Sequence, residues 1–105
     1  MADFSKIFEQ AQQMQVRMQQ MQSDLEKQTV TAAAGGGMVS VEADGKGTIT
    51  RVKIDPSVAD PKDVEMLEDL VLVAVNEAQK RAAELAKTEM GKVTGGLNLP
   101  FKLPF

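Results

Sequence analysis

The chain has 105 residues, with 12 basic and 15 acidic side chains for a net charge of −3, and it contains neither cysteine nor histidine. Zinc sites built on thiolate or imidazole, thiol redox chemistry, cysteine nucleophiles and histidine-based triads are therefore excluded. The length fits one domain whose core is marginal without association, and neither a basic-then-apolar leader nor an apolar run near the ~20 residues of a membrane span is found, so we expect a cytoplasmic protein.

Phe4, Ile7, Ala11, Met14, Met18, Met21 and Leu25 recur at alternating spacings of three and four, and Phe8 widens the stripe at its start. That is the a/d seam of an amphipathic helix. No glycine or proline interrupts Asp3 to Lys27, so the pattern predicts a rod of about 25 residues, ~37 Å long. Such a rod must outreach a small core or pack along another long helix. The same stripe suits a two-chain coiled coil and an antiparallel pair within one chain. Met14, Met18 and Met21 read as core or interface filling.

Thr29 to Ala34 predicts a short strand, followed by a flexible connection at Gly35-Gly36-Gly37. Met38 to Asp44 and Thr48 to Ile54 alternate, with Val39, Val41 and Ala43 sharing one face and Thr50, Val52 and Ile54 another. With Gly45-Lys46 as a two-residue turn, Val41 would pair with Thr50 and Val39 with Val52, and the apolar faces coincide. Arg51 and Lys53 then share the outward face, suited either to phosphate or to solubility.

Asp60-Pro61-Lys62-Asp63 predicts a helix start, with Asp60 as N-cap, Pro61 at the first helical position and acidic residues over the positive dipole end. Leu70 to Val75 is apolar at every position. By composition it suits a buried strand, but the cap before it and NEAQKRAAELAKTEM after it predict helix. Six successive apolar residues leave that helix no solvent face. The expected remedy is a second copy, with Val39, Val41, Val52, Leu70, Val71, Val73 and Ala74 at the dimer interface. Gly91 is the expected stop, giving a single domain over 1–91 and a mobile tail over 92–105.

The acidic cluster Asp55, Asp60, Asp63, Glu65, Glu68 and Asp69 lacks calcium-loop spacing and reads as caps plus a solvated first turn. Neither glycine stretch has Walker spacing followed by a helix, so no metal, nucleotide or other cofactor is expected. Among the cations, Lys80 and Arg81 each have Glu77 and Glu84 three or four positions away, and Lys87 has Glu84, which suits intrahelical ion pairs. Arg17 differs. Its neighbours at those spacings are Gln13, Met14, Gln20 and Met21, a surface able to hydrogen-bond phosphates or base edges without repelling them.

The block DPSVADPKDVEMLEDLVLVAVNEA, the helix AQQMQVRMQQMQ, the stretch GGGMVSV and the ending GGLNLPFKLPF together resemble the YbaB/EbfC family of small bacterial nucleoid-associated proteins, over nearly the whole chain. The resemblance implies an α+β fold of α-β-β-β-α order, with a small antiparallel sheet and two long helices that project from a homodimer like tweezers. It also implies binding to double-stranded DNA with little or modest sequence preference, in the nucleoid. Separately, without His or Cys a catalyst would need converging carboxylates or lysines, and the acids here fit capping better, so no enzymatic activity is expected. The candidate DNA contacts are then Gln13, Arg17, Gln20, Lys80, Arg81, Lys87 and Lys92. The Asp55–Ala78 block is too acidic to face phosphate. Composition alone would not suggest DNA; the acidic total suits the alternative, a protein-interaction module using the Met/Gln-rich helix.

Overall fold

The uninterrupted first helix and the alternating middle of the chain fold as their patterns require. The computed structural model describes residues 4–94. They form α1 (Phe4–Lys27), β1 (Thr29–Ala34), β2 (Val39–Asp44), β3 (Ile49–Ile54), a 3-10 turn at Pro56–Val58 and α2 (Val64–Thr94). The strands make one antiparallel sheet in the order β1-β2-β3, which is the α-β-β-β-α arrangement expected. The tail beyond residue 94 lies outside the described residues.

The glycine triplet makes a tight reversal. Gly35, Gly36 and Gly37 have φ of 62°, 66° and 95°, a run of left-handed backbone that side-chain-bearing residues resist. It sets Ala34 opposite Val39, Ala32 opposite Val41 and Val30 opposite Ala43. α2 crosses this side of the sheet, over β1 and β2 and hardly over β3. The core is Ala32, Ala34, Val39, Val41, Ala43, Val58, Ala74 and Ala78, and its largest fully buried side chains are valines.

The β2–β3 register differs from the expected one by two residues. Val39 faces Ile54 and Val41 faces Val52, instead of Val52 and Thr50. Asp44 is the reason. Its carboxylate accepts the N–H groups of Lys46 (2.9 Å) and Thr48 (3.0 Å), and its own N–H donates to the Thr48 carbonyl (2.9 Å). This holds Gly45-Lys46-Gly47 as a wider turn. Ala43 then pairs with Ile49 while Glu42 pairs with Arg51, which leaves Thr50 as the extra residue of a bulge. A shift of two keeps the faces, so Val52 and Ile54 still lie on the side of Val39 and Val41.

Gly45 also joins this turn to α1. Its N–H donates to the Leu25 carbonyl at 2.8 Å, and a Cβ there would lie 2.7 Å from that oxygen. We therefore expect Gly45→Ala to force α1 off the sheet edge. Overpacking of this kind costs about 1–3 kcal/mol, measurable as a lower urea midpoint with an unchanged m-value.

The second helix starts one turn later than expected. Asp60 accepts the Lys62 N–H (2.9 Å) and closes a turn around Pro61, whereas Asp63 accepts the Met66 N–H (3.2 Å) and caps the helix. The N-cap is Asp63 and not Asp60, because the proline-centred turn takes up the first aspartate. Nor does Gly91 stop the helix, which continues to Thr94. A mid-helix glycine costs about 1 kcal/mol. Val93, beyond this glycine, borders the same shallow cleft as Met21 of α1.

Three residues expected at a dimer interface belong instead to the protomer's own core: Val39, Val41 and Ala74 have no exposed surface. Leu70 and Val71 pack partly against that core. Leu72 and Val73 remain exposed because a helix lying on a sheet buries only one side of itself, and Val52 because α2 hardly reaches β3. The molecule is long, 75 × 24 × 16 Å, because the first half of α1 extends past everything else.

Candidate nucleic-acid interface

Two antiparallel helices shape the surface on which the candidate cations sit. Met21 and Leu25 of α1 lie across a groove from Ala82 and Ala86 of α2, while Arg17 and Gln20 lie across from Glu89 and Lys92. Position numbers fall on one helix as they rise on the other. The second of these clefts is shallow, about 270 Å³ in volume. An adjoining concavity of about 440 Å³ lies along Gln12, Gln13, Val16 and Arg17. Arg17 stands between the two.

The structure brings Gln13, Arg17, Gln20 and Lys92 to this one side. Gln20 donates to Asp24 at 3.0 Å, and Lys92 is bridged to Glu89 at 3.2 Å. Among the described residues Arg17 has neither an ion pair nor a side-chain hydrogen bond, so its guanidinium is available to a ligand.

The other cations are elsewhere. Arg81 points toward β1, where Nη1 donates to the Thr31 carbonyl, and its Nε lies 3.4 Å from Glu77. It ties α2 to the sheet. Lys80 and Lys87, seven apart, share one exposed line of α2 and form no ion pairs among the described residues, contrary to the pairing their spacing suggested. At about 100° per residue they lie roughly 120–140° around the helix from Lys92. Within one protomer the candidate set is thus divided between two surfaces.

Arg51 and Lys53 share the outward face as expected, but the expected pairing set Ser40 opposite Arg51 and Met38 opposite Lys53. The true register sets Arg51 opposite Glu42 and Lys53 opposite Ser40, around a small concavity of about 230 Å³ on the sheet's uncovered face. The signal for this lay in Asp44, whose carboxylate selects the wider turn.

The acidic segment before α2 is structural. Asp55 accepts the Ser57 N–H at 2.8 Å and caps the 3-10 turn. That backbone bond, the Ser57 hydroxyl and the charge of Lys53 hold its carboxyl below the ordinary value of 3.8. A depressed folded-state pKa contributes stability above about pH 4 that is lost as pH falls through the folded value. We expect the Asp55 carboxyl, followed by carbon-detected NMR, to titrate below 3.8, and Asp55→Asn to remove its share of the acid-side slope of stability.

Among the described residues no polar or charged side chain is buried, no group of three or more acidic residues could hold a metal ion, and no helix is long and apolar enough to cross a membrane. What the geometry offers is extended surface: ridges of amides and cations on helices, suited to a large polyanion.

Comparison with known proteins agrees with this character. A model of the YbaB/EbfC DNA-binding family matches residues 1–97. The chain is similar to a nucleoid-associated protein of Gemmatimonas aurantiaca, 53% identical over 103 residues, which cover 98% of this chain and 99% of that one. It is similar to another of Gluconacetobacter diazotrophicus, 50% identical over 105 residues, with 100% and 98% covered. Among solved structures it resembles an uncharacterized protein of Helicobacter pylori, with a TM-score of 0.81 and 27% identity, covering 90% of this chain and all of that one.

Proposed function

The chain belongs to the YbaB/EbfC DNA-binding family, and from that premise we propose that it is a nucleoid-associated protein that binds double-stranded DNA as a homodimer, with little or modest sequence preference. The observation that carries the reading is Arg17: an unpaired guanidinium flanked by Gln13 and Gln20, on a helix that projects from the core. Contacts from such a ridge go mainly to phosphates, which position a duplex without reading its sequence. Lys80 and Lys87 provide a second cationic line. A dimer would supply two copies of each, so surfaces that do not converge in one protomer can act on one duplex.

Two features support the homodimer. The buried cluster between the sheet and α2 is built from alanine and valine, with larger side chains such as Ile49, Leu67 and Leu70 only partly buried around it, a small core for a domain of this size. In addition, β3 leaves Val52 and Ile54 uncovered beside a helix that exposes Leu72 and Val73. A second copy covering these side chains would complete the core. The net charge of −3 is offset locally: Asp55, Asp60, Asp63, Glu65, Glu68 and Asp69 lie before and at the start of α2, whereas α1 from Phe4 to Lys27 carries three acids and three bases. Mobility shift with random-sequence duplex, beside a light-scattering mass of the free protein, tests both parts. Absence of a shifted species at low salt would refute the DNA reading, and a monomer mass the assembly.

A further inference from the structure

The larger groove between α1 and α2, about 590 Å³ in volume, lies on the other side of the helix pair from Arg17. Met21, Leu25 and Ala82 are its buried floor, and exposed Gln22, Lys46 and Ala83 line its mouth. By helix geometry Gln22 is ~140° around α1 from Arg17, and Ala83 is ~180° around α2 from Lys92. Lys80 and Lys87 flank Ala83 at ~60° and ~40° on either side. The cationic line of α2 that stands apart from Arg17 therefore borders this groove. Among the described residues no acid lines it, whereas the two clefts beside Arg17 contain Glu9, Asp24 and Glu89.

The turn Gly45-Lys46-Gly47 is fixed to both helices. The Gly45 N–H donates to the Leu25 carbonyl of α1 at 2.8 Å, and Gln79 Nε2 of α2 donates to the Gly47 carbonyl at 3.2 Å. Lys46, between two glycines, is the residue of this turn that carries a side chain, so its backbone is held in place at the groove while the side chain stays exposed. Its Nζ lies 2.9 Å from Glu26 Oε1, and both side chains of this pair stand in solvent. Exposed pairs of this kind contribute little to stability, so the ammonium can exchange Glu26 for another anion at small cost.

We propose that Lys46 is a DNA contact: with Lys80 and Lys87 it holds a sugar–phosphate strand along the mouth of this groove, and Glu26 is the internal anion that the phosphate displaces. Gln22 offers the strand an amide donor without repelling it. The inference rests on the DNA reading above and adds to it a residue of the sheet, fixed where the two helices meet.

Fluorescence anisotropy with a random-sequence duplex at 0.1 M salt, on full-chain variants, tests it. Lys46→Ala should weaken binding about tenfold, and Glu26→Gln, which frees the ammonium and removes a carboxylate beside the phosphate, should strengthen it about threefold or more. Both substitutions remove the same ion pair, so a role confined to folding would move binding in one direction in both variants. That outcome, or a Lys46→Ala protein that binds as the parent does, overturns the inference. Lys62→Ala removes a cation from the acidic segment before α2 and should leave affinity within about twofold of the parent. A loss equal to that of Lys46→Ala would make the effect one of net charge and would also overturn it. A parent that fails to bind duplex refutes the DNA reading itself, whereas a parent that binds beside an unaffected Lys46→Ala variant refutes the role of Lys46 alone. Sedimentation velocity without DNA completes the test: a dimer weakened by Lys46→Ala would assign the groove to a second copy instead of a duplex.

Discussion

Raising salt from 50 to 200 mM should weaken DNA binding by about a thousandfold. Of the candidate contacts, Arg17, Lys80 and Lys87 have no ion-pair partner among the described residues, whereas Arg81 and Lys92 are engaged by Glu77 and Glu89. A dimer then brings about six free cations to the duplex, and counterion release gives a slope of log K against log salt near −5. Fluorescence anisotropy across a salt series measures it. Affinity that stays flat over this range would mean that phosphate contacts are not the source of binding. Arg17→Ala should reduce the slope by about two, one for each copy, and weaken binding about 10- to 100-fold at 0.1 M salt. Arg17→Lys should retain the slope, since it keeps the charge and loses only the guanidinium's fork. An Arg17→Ala dimer that binds as the parent does would remove Arg17 from the site.

The second large effect concerns assembly. Replacing Leu72 and Val73 together by alanine should weaken the dimer by about a thousandfold or more. Both side chains are more than half exposed in the protomer, at 59% and 56%. Burying what remains of each contributes about 1–1.5 kcal/mol, and a symmetric dimer contains two of each. Alanine has the highest helix propensity, so a loss of assembly could not be attributed to a weakened α2. Sedimentation velocity over a dilution series provides the measurement. A double mutant as dimeric as the parent would place the interface elsewhere. With the dimer lost, the alanine–valine core should leave a protomer that unfolds at markedly lower denaturant.

Much of the fold was legible in the residues because helix and strand patterns are local. The stripe from Phe4 to Leu25 and the alternation of Val39, Val41 and Ala43 declare their elements without reference to the rest of the chain. The sites were harder. Lys80, Arg81 and Lys87 look equivalent by spacing, yet only Arg81 has a carbonyl of β1 within reach. Spacing along one helix says which charges are neighbours on that helix, not which of them another element will engage.

The sequence by itself therefore determined the element order, the inner faces of β2 and β3, the absence of thiol and imidazole chemistry, and the lack of an acid three or four positions from Arg17 along α1. All of these follow from composition or from periods of two and three to four residues. The tertiary structure decided the hairpin register, the helix cap, the continuation of α2 through Gly91, and the division of apolar residues between protomer core and open surface. These are settled by specific contacts, some between residues far apart in the chain and some, such as the Asp44 bonds to Lys46 and Thr48 that set the hairpin, between close ones. The Gly45 N–H meets the Leu25 carbonyl, and Asp63 caps where Asp60 was the expected N-cap. The free energies that select among such alternatives, about 1 kcal/mol each, come from packing and hydrogen bonds that a one-dimensional pattern does not contain.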